Sequence, residues 1–257
     1  LETLKNKINE KKKSSTPFPI LQLYDSPSIQ KNTAEIYVKE KFYKEKILNP
    51  ISIVEKNKKI RLGYYSADFY NHAMSYLLAG LFKQHDKSKF ELFAFSFSPE
   101  KNDEMSKKIP NYFNDFVKVN FKTDKEIAEI SRNLKIDIAI DLLCFTTNNR
   151  MGIFSERCAP IQVNYLGYPG TSGTNFIDYI IADKILIPKE SQKYYSEKII
   201  YLPNTYQARD SSLKISDKIF KRKELDLPKN AFVFCCFNQN NKITPNIFSI
   251  WMRILKT

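Results

Sequence analysis

Apolar and polar positions alternate along the chain in blocks that are typical of strands and helices in turn. From Lys59 onward, short apolar runs alternate with longer segments of helical spacing. Strands are predicted over residues 60–66, 90–97, 136–143, 161–166, 177–182 and 198–202. Helices are predicted over 74–84 and over 124–134 with Thr123 as N-cap, whereas 109–116 is predicted to be helical or irregular. This alternation predicts an α/β fold with a Rossmann-like, doubly wound, mostly parallel sheet.

The segments around this pattern set the predicted domain organisation. Residues 1–58 are polar and Lys-rich, and we predict a linker with one or two helices, for example over 28–42. Residues 59–205 hold the sheet, and the more polar 206–228 form a connection. Residues 229–257 supply an apolar strand at 231–237 and a helix from Pro245. Because one strand and one helix cannot bury themselves, they are either the edge of the first sheet or the beginning of a second domain.

Composition narrows the class of protein. A chain of 257 residues with 42% hydrophobic residues indicates a globular protein with one large domain or two small ones. The net charge of +13 arises mainly from lysines spread along the whole chain, which indicates a solvated surface and does not indicate a nucleic-acid-binding site. The sequence shows neither a signal peptide nor a stretch of membrane-spanning length. Four cysteines without a CxxC pair, including Cys235 and Cys236, are predicted to be buried thiols in a reducing compartment, hence the cytoplasm.

Three of the six glycines lie in the seven-residue segment GYPGTSG, residues 167–173. The segment follows a predicted strand, and strand ends are where open α/β sheets bind ligands. We expect its hydroxyls to be exposed there. A purely structural turn is an equal alternative, because turns are the usual setting of Pro and Gly.

The loop after the first strand carries His72, one of only two histidines, together with Asp68 and Asn71. Histidine is the side chain best suited to proton transfer near neutral pH, although a loop histidine is more often structural. The other histidine, His85, lies among Gln, Asp and Lys and is expected to be exposed.

The last predicted helix offers a second candidate site. Thr244 is a good N-cap, and Asn238, Gln239 and Lys242 stand just before it. A helix N-terminus attracts anions, and Lys242 adds a full positive charge. A capped helix with a solvated lysine remains the alternative.

Several motifs are missing from the sequence. It contains no GxGxxG, no GxxxxGK[ST], no close His/Cys cluster and no Asp-x-Asp pair, so no metal or cofactor site is predicted. Asp137 and Asp141 share one face of a strand, and one of them is expected to be buried and structural.

Six blocks in order carry a resemblance to a known family. They read IRLGYYSADFYNHAMSYLLAG, DIAIDLLCFT, APIQVNYLGYPGTSG, DYIIAD, YSEKIIYLP and FVFCCFNQNNKITPNIFSIWMRIL. Over residues 59–257 the chain resembles the bacterial branch of the protein O-linked N-acetylglucosamine transferase / SPINDLY family. Residues 1–58 resemble the segment that joins tetratricopeptide repeats to the catalytic region of that family.

The resemblance implies a GT-B glycosyltransferase with two Rossmann-like halves across a cleft, inverting and metal-independent. It would move a sugar from a nucleotide donor, UDP-N-acetylglucosamine or alternatively GDP-fucose, to Ser or Thr hydroxyls of acceptor proteins. His72 and Lys242 would be the catalytic groups. The residues implied in substrate or donor binding are Asp68, Asn71, Tyr168, Pro169, Gly170, Thr171, Asn238 and Gln239.

The chain also departs from the family pattern. Asn241 stands where the animal enzymes have Tyr, Cys144 stands where the family has Gly, and residues 132–137 contain no histidine. Only the first strand and helix of the second half are present, so we expect this piece alone to be inactive or nearly so. A non-catalytic module that binds acceptor proteins is the rival interpretation.

Overall fold

The computed structural model contains a seven-stranded sheet flanked by helices, and it describes residues 1–42, 48–51 and 57–256. Part of the predicted linker, residues 43–47 and 52–56, lies outside the described residues. The strands are β1 Ile60–Ser66, β2 Phe90–Ser96, β3 Asp115–Lys118, β4 Ile138–Asp141, β5 Ile161–Tyr165, β6 Tyr179–Ala182 and β7 Lys198–Tyr201. The α-helices are α1 Glu2–Asn9, α2 Pro17–Leu23, α3 Pro27–Phe42, α4 Ala73–Gln84, α5 Glu104–Lys108, α6 Asp124–Asn133, α7 Met151–Ser155 and α8 Pro245–Ile254. Short 3₁₀ helices cover Ile109–Tyr112, Lys189–Tyr194, Arg222–Leu225 and Asn240–Lys242.

The sheet has the order β3-β2-β1-β4-β5-β6-β7, and every neighbouring pair is parallel. This is the Rossmann order with one further strand, and it confirms the predicted α/β, doubly wound architecture. The chain moves outward to β2 and β3 on one side of β1, then returns to β4 on the other side. The loops after β1 and β4 therefore diverge from a switch point, where ligands of open α/β sheets bind.

Two apolar cores lie on opposite faces of the sheet, as the alternation of side chains in each strand requires. Tyr64 belongs to the core under α4, where it packs against Phe82. Tyr65 points to the other face and stacks on Phe95, with ring centroids 4.3 Å apart. Helix α3 contributes the buried Tyr37 to this second core. Burial of such aromatic rings is the main driving force for both layers.

The amino-terminal helices are part of the same compact unit as the sheet. That unit spans Leu1–Ser212. Within it, α3 packs so closely on residue Gly173 that a Cβ there would lie 2.7 Å from the backbone nitrogen of Glu35. The polar, Lys-rich composition of residues 1–58 did not reveal that a helix of this segment covers one face of the sheet.

The second unit, Leu213–Thr257, is described by itself. Helix α8 begins at Pro245 as predicted, and the Thr244 hydroxyl accepts a hydrogen bond from the Ile247 N–H at 3.4 Å. The predicted strand at 231–237 is wrong, because the described residues of this unit contain no strand. A strand needs a neighbour to satisfy its backbone, and apolar composition does not supply one. Cys235 and Cys236 are consequently exposed, which corrects their predicted burial.

Two further local predictions needed correction. Residues 109–116 contain a 3₁₀ helix and also the start of β3, a strand that the sequence pattern did not indicate. His85 is half-buried, because its ring nitrogens contact the Tyr64 hydroxyl at 3.0 Å and the Leu81 carbonyl at 2.7 Å. Burial lowers the pKa of His85, so this histidine is a structural element at the end of α4.

Candidate active site at the carboxyl ends of the strands

The loops after β1 and β4 meet at the switch point of the sheet. The first residue after β4 is tied to the end of β1 by a hydrogen bond from the Leu142 N–H to the Tyr65 carbonyl at 3.2 Å. The first loop carries Asp68, Asn71 and His72. The predicted site residues of this loop therefore lie at the switch point of the sheet, and a ligand site there stays a prediction.

His72 is the N-cap residue of α4. Its Nδ1 atom accepts a hydrogen bond from the Met74 N–H at 3.3 Å, and its backbone is extended, with φ −137° and ψ 152°. The side chain keeps 40% of its surface exposed, so a ligand can reach it. In a neutral imidazole whose Nδ1 accepts, the proton resides on Nε2. The ring is then a hydrogen-bond donor at Nε2.

Asp68 lies beside this imidazole. Its Oδ2 atom is 3.5 Å from His72 Nδ1, and its side chain is only 12% exposed. Burial raises the pKa of the Asp68 carboxyl, and the neighbouring His72 opposes that rise. A protonated His72 would form an ion pair with this carboxylate, so Asp68 can stabilise a positive charge on the ring.

Asn71 connects the histidine loop to the next loop of the sheet. Its backbone N–H donates to Asp103 Oδ1 at 3.0 Å, and its side-chain Oδ1 accepts from the Met105 N–H at 3.0 Å. The side-chain oxygen of Asn71, a residue implied in substrate or donor binding, thus already has a partner at the start of α5.

Asp141 shapes the loop after β4. Its Oδ1 accepts hydrogen bonds from the N–H groups of Leu143 at 2.9 Å and Cys144 at 3.1 Å. Burial raises the pKa of Asp141 to about 6, although the two N–H groups favour the charged form. Cys144 has φ +50°, in the left-handed region that favours glycine. The family's glycine at this position thus has a physical reason, and the expected burial of one aspartate is confirmed at Asp141.

The hydroxyls of the GYPGTSG segment are buried, which corrects their predicted exposure. Thr171 is 3% exposed and donates to Glu197 Oε2 at 2.7 Å. The Ser172 N–H donates to the other oxygen of the same carboxylate at 2.6 Å. The segment follows β5, its last glycine abuts α3, and four of its seven residues are buried. Glu197, the residue that holds it, comes 26 residues after Thr171 and was missed in the sequence.

Two of the three glycines have structural causes. A Cβ at Gly167 would lie 2.0 Å from the Leu142 carbonyl oxygen, at the loop after β4. Gly173 has φ +64° and abuts α3. Tyr168 is buried, with its carbonyl accepting from Asn164 Nδ2 at 3.1 Å.

The rest of the predicted segment is partly accessible. The half-buried Pro169 accepts a hydrogen bond at its carbonyl from the Tyr195 hydroxyl at 3.1 Å, and Gly170 is buried against the Tyr168 ring. The segment begins two residues after β5 ends at Tyr165, so its first residues are the ones nearest in sequence to the carboxyl end of that strand.

The second group of predicted residues lies in the second unit. Gln239 precedes the 3₁₀ helix Asn240–Lys242, and its carbonyl accepts from the Lys242 N–H at 3.0 Å. The Lys242 side chain is exposed just ahead of α8, and Asn238 lies before Gln239. The structure thus brings Asp68, Asn71 and His72 together in one loop and the other three residues together in another. The predicted cleft between the two groups stays a prediction.

Among the residues that the structure describes, no group of three or more His, Cys, Asp or Glu side chains is placed to hold a metal ion. Over the same residues, no helix has both the length and the apolar character needed to cross a bilayer.

The protein has a Rossmann-like, doubly wound α/β fold, and the histidine loop lies at the switch point between β1 and β4. The profile described as Glycosyl transferase family 41 matches residues 34–219 and 214–257. The chain belongs to glycosyl transferase family 41, which confirms the family that the six sequence blocks indicated.

Two relatives from Arabidopsis thaliana illustrate the similarity. One, named "Probable UDP-N-acetylglucosamine--peptide N-acetylglucosaminyltransferase SEC", is 37% identical over 204 residues, which are 77% of this chain and 21% of that protein. The other has the same name with SPINDLY in place of SEC, and it is 30% identical over 79% of this chain and 22% of its own length. The chain thus spans about a fifth of the length of these curated relatives.

A nematode relative and a solved bacterial structure are also similar to this chain. The Caenorhabditis elegans UDP-N-acetylglucosamine–peptide N-acetylglucosaminyltransferase is 36% identical over 60% of this chain and 13% of that protein. A mutant of the Thermobaculum terrenum O-GlcNAc transferase superposes with a TM-score of 0.66 at 23% identity, over 79% of this chain and 38% of that one. This structural likeness supports the fold.

Proposed function

We propose that the protein containing this chain is a protein O-glycosyltransferase that moves N-acetylglucosamine from UDP-N-acetylglucosamine to Ser and Thr hydroxyls. The observation that carries the proposal is an accessible His72, fixed at the switch point of a family 41 sheet. The names of three relatives specify UDP-N-acetylglucosamine and a peptide acceptor, which supports this donor and this acceptor class.

In this proposal His72 orients the acceptor or the sugar by donating a hydrogen bond from Nε2. Its Nδ1 atom accepts from the Met74 N–H, so the neutral ring has no free lone pair with which to remove a proton. Asp68 Oδ2 lies 3.5 Å from the same nitrogen, so it would stabilise only a doubly protonated ring, a form that orientation by Nε2 does not require. The geometry therefore favours orientation over general-base catalysis for this side chain.

Lys242 is proposed to stabilise the leaving nucleoside diphosphate. Charge builds on that group as the bond to the sugar breaks, and an ammonium group can neutralise it without a metal. Gln239 and Asn238, in the same short loop, would contact the nucleotide. Direct attack of the acceptor hydroxyl on the sugar would invert its configuration, and we include inversion and metal independence in the proposal.

The GYPGTSG segment is proposed to form part of the cleft wall. Pro169 is the member with a partly accessible side chain, and it stands next to the buried Tyr168 and Gly170. The Thr171 hydroxyl is already paired with Glu197, so contact between this hydroxyl and the donor would require that hydrogen bond to break. We therefore propose that Thr171 stabilises the segment through Glu197 and does not contact the donor.

The activity is proposed for the longer protein, since the chain spans only about a fifth of the length of its relatives. The resemblance of residues 1–58 to a segment that follows tetratricopeptide repeats suggests such repeats upstream in that protein. A cytoplasmic location is consistent with free thiols at all four cysteines.

The test is a transfer assay with the full-length protein and two radiolabelled donors. We expect label from UDP-N-acetylglucosamine to enter Ser/Thr-containing acceptor proteins, in the presence of EDTA as well as in its absence. If label from GDP-fucose enters the acceptor proteins and label from UDP-N-acetylglucosamine does not, the donor is GDP-fucose and the proposed donor is wrong. Loss of transfer with EDTA would contradict metal independence, and no transfer from either donor would contradict the proposed function.

A further inference from the structure

The loop after β2 is bonded directly to the histidine loop. The Phe97 N–H donates to the Ser66 carbonyl at 3.1 Å, and the Phe69 N–H donates to Ser98 Oγ at 2.9 Å. These two bonds join the beginnings of both loops at neighbouring strand ends. A third connection lies farther along, next to His72 itself.

That third connection is made by Asp103, the N-cap residue of α5. Its Oδ1 atom accepts two hydrogen bonds, from the Asn71 N–H at 3.0 Å and from the Ser106 N–H at 2.9 Å. In return, the Met105 N–H donates to Asn71 Oδ1 at 3.0 Å. One carboxylate oxygen thus holds both the first turn of α5 and the residue that precedes His72.

The charge state of Asp103 suits this arrangement. Burial raises the pKa of the carboxyl, but the hydrogen bonds from Ser106 and Asn71 outweigh that effect and lower it overall. The group is ionised near neutral pH, and hydrogen bonds to a charged acceptor are stronger than neutral ones.

We propose that Asp103 is a positioning residue for His72 in the sugar-transfer reaction. The inference rests on the proposed function. His72 is anchored on its carboxyl side by the Met74 N–H and on its amino side by the bond from Asn71 to Asp103. If the second anchor is lost, the backbone before His72 can shift, and a displacement of about 1 Å at a reacting group can lower a rate up to a hundredfold.

The experiment compares three variants of the full-length protein in the labelled transfer assay. Asp103→Ala should lower kcat about tenfold and leave the KM for the nucleotide sugar unchanged, because Asn238, Gln239 and Lys242 are proposed to contact the nucleotide and its diphosphate. Asp103→Ser should do the same, since serine can still cap α5 but its side chain is too short to hold Asn71 as well. Asp103→Asn keeps an acceptor oxygen and should recover most of kcat.

Ser106→Ala is the matched control. This substitution removes the Ser106 hydroxyl, which accepts a hydrogen bond from the Asp103 N–H in the capping box of α5. It leaves the hydrogen bond from the Asn71 N–H to Asp103 in place. It should lower thermal stability as Asp103→Ala does, with kcat unchanged. If Ser106→Ala and Asp103→Ser lower kcat equally, the role of Asp103 is structural only and the inference is overturned.

A double-mutant cycle shows whether Asp103 acts through His72. In a His72→Asn background, Asp103→Ser should change kcat less than about twofold, because the group it positions is gone. An undiminished effect there would overturn the inference. If His72→Asn itself transfers sugar at the wild-type rate, the proposed role of His72 fails. If His72→Asn lowers kcat but Asp103→Ala and Asp103→Ser retain full activity, the inference about Asp103 is contradicted and the proposed role of His72 is not affected.

Discussion

The Nδ1 atom of His72 and the backbone N–H of Met74 are joined by a 3.3 Å hydrogen bond. The side chain that we propose for catalysis is therefore also the cap of α4. These two roles can be separated, because several side chains can cap a helix and only histidine offers an imidazole.

His72→Asn and His72→Ala should affect stability differently and transfer alike. Asparagine is a preferred N-cap, so His72→Asn should retain wild-type stability, whereas His72→Ala should lower the free energy of unfolding by about 1 kcal/mol. Both lack the imidazole Nε2 donor, and each should lower kcat at least tenfold. Urea unfolding and the labelled transfer assay measure the two effects. Normal transfer by the asparagine variant would show that His72 only caps the helix.

Lys242→Ala should weaken the binding of a nucleoside diphosphate. Loss of a full charge beside the phosphates should raise the Kd about tenfold, equivalent to about 1.4 kcal/mol. The free nucleoside, which has no phosphates, should bind both forms equally. Titration calorimetry measures both ligands, and Lys229→Ala, another exposed lysine of the same unit, is the control. Equal losses in the two lysine variants would indicate a general effect of charge and not a site.

Asp141→Asn should change how stability depends on pH. The pKa of Asp141 is about 6 in the folded protein against an ordinary value of 3.8, so the folded state holds this proton more tightly. The resulting stabilisation is present at low pH and is lost as the pH rises through about 6, a loss on the order of 3 kcal/mol. Asparagine keeps the acceptor for Leu143 and Cys144 without titrating.

The measurement for Asp141 is the difference in free energy of unfolding between wild type and Asp141→Asn. As the pH rises from about 4 to about 7, the free energy of unfolding of the wild type should fall relative to that of Asp141→Asn. A constant difference over that interval would mean that Asp141 does not carry a raised pKa in the folded protein.

Gly167→Ala should be strongly destabilising. A Cβ at this position would lie 2.0 Å from the Leu142 carbonyl oxygen. The oxygen belongs to the backbone, and the position of a Cβ is fixed by the backbone, so neither can rotate away. We expect a loss of about 3 kcal/mol in urea unfolding. Pro169→Ala, in the same segment but half-buried, should cost much less. A loss under about 0.5 kcal/mol at Gly167 would show that the two loops are not packed this closely.

The sequence predicted the sheet well where its strands are buried. β1, β2 and β5 read as apolar runs, and the structure places them within a residue or so of the predicted ends. β3 was missed because Asp115–Lys118 is a short edge strand with only partial burial, so its composition lacks an apolar run. The run at 231–237 was apolar yet forms no strand, since pairing depends on a partner that periodicity does not reveal.

The places of the candidate residues in the fold were predictable from the sequence, but their contacts were not. The position of His72 after β1 follows from topology, which strand patterns encode. The burial of Thr171 does not, because it depends on Glu197, which stands 26 residues away in sequence. The capping role of His72 was also hidden, because it arises from loop geometry and not from residue type.

The most direct test of the central claim is the incorporation of labelled N-acetylglucosamine into acceptor proteins by the full-length protein, with His72→Asn and Lys242→Ala assayed beside the wild type. We predict transfer by the wild type and at least a tenfold lower kcat for each variant, by analogy with the loss of other transition-state contacts. Wild-type rates in both variants would contradict the assignment of this site.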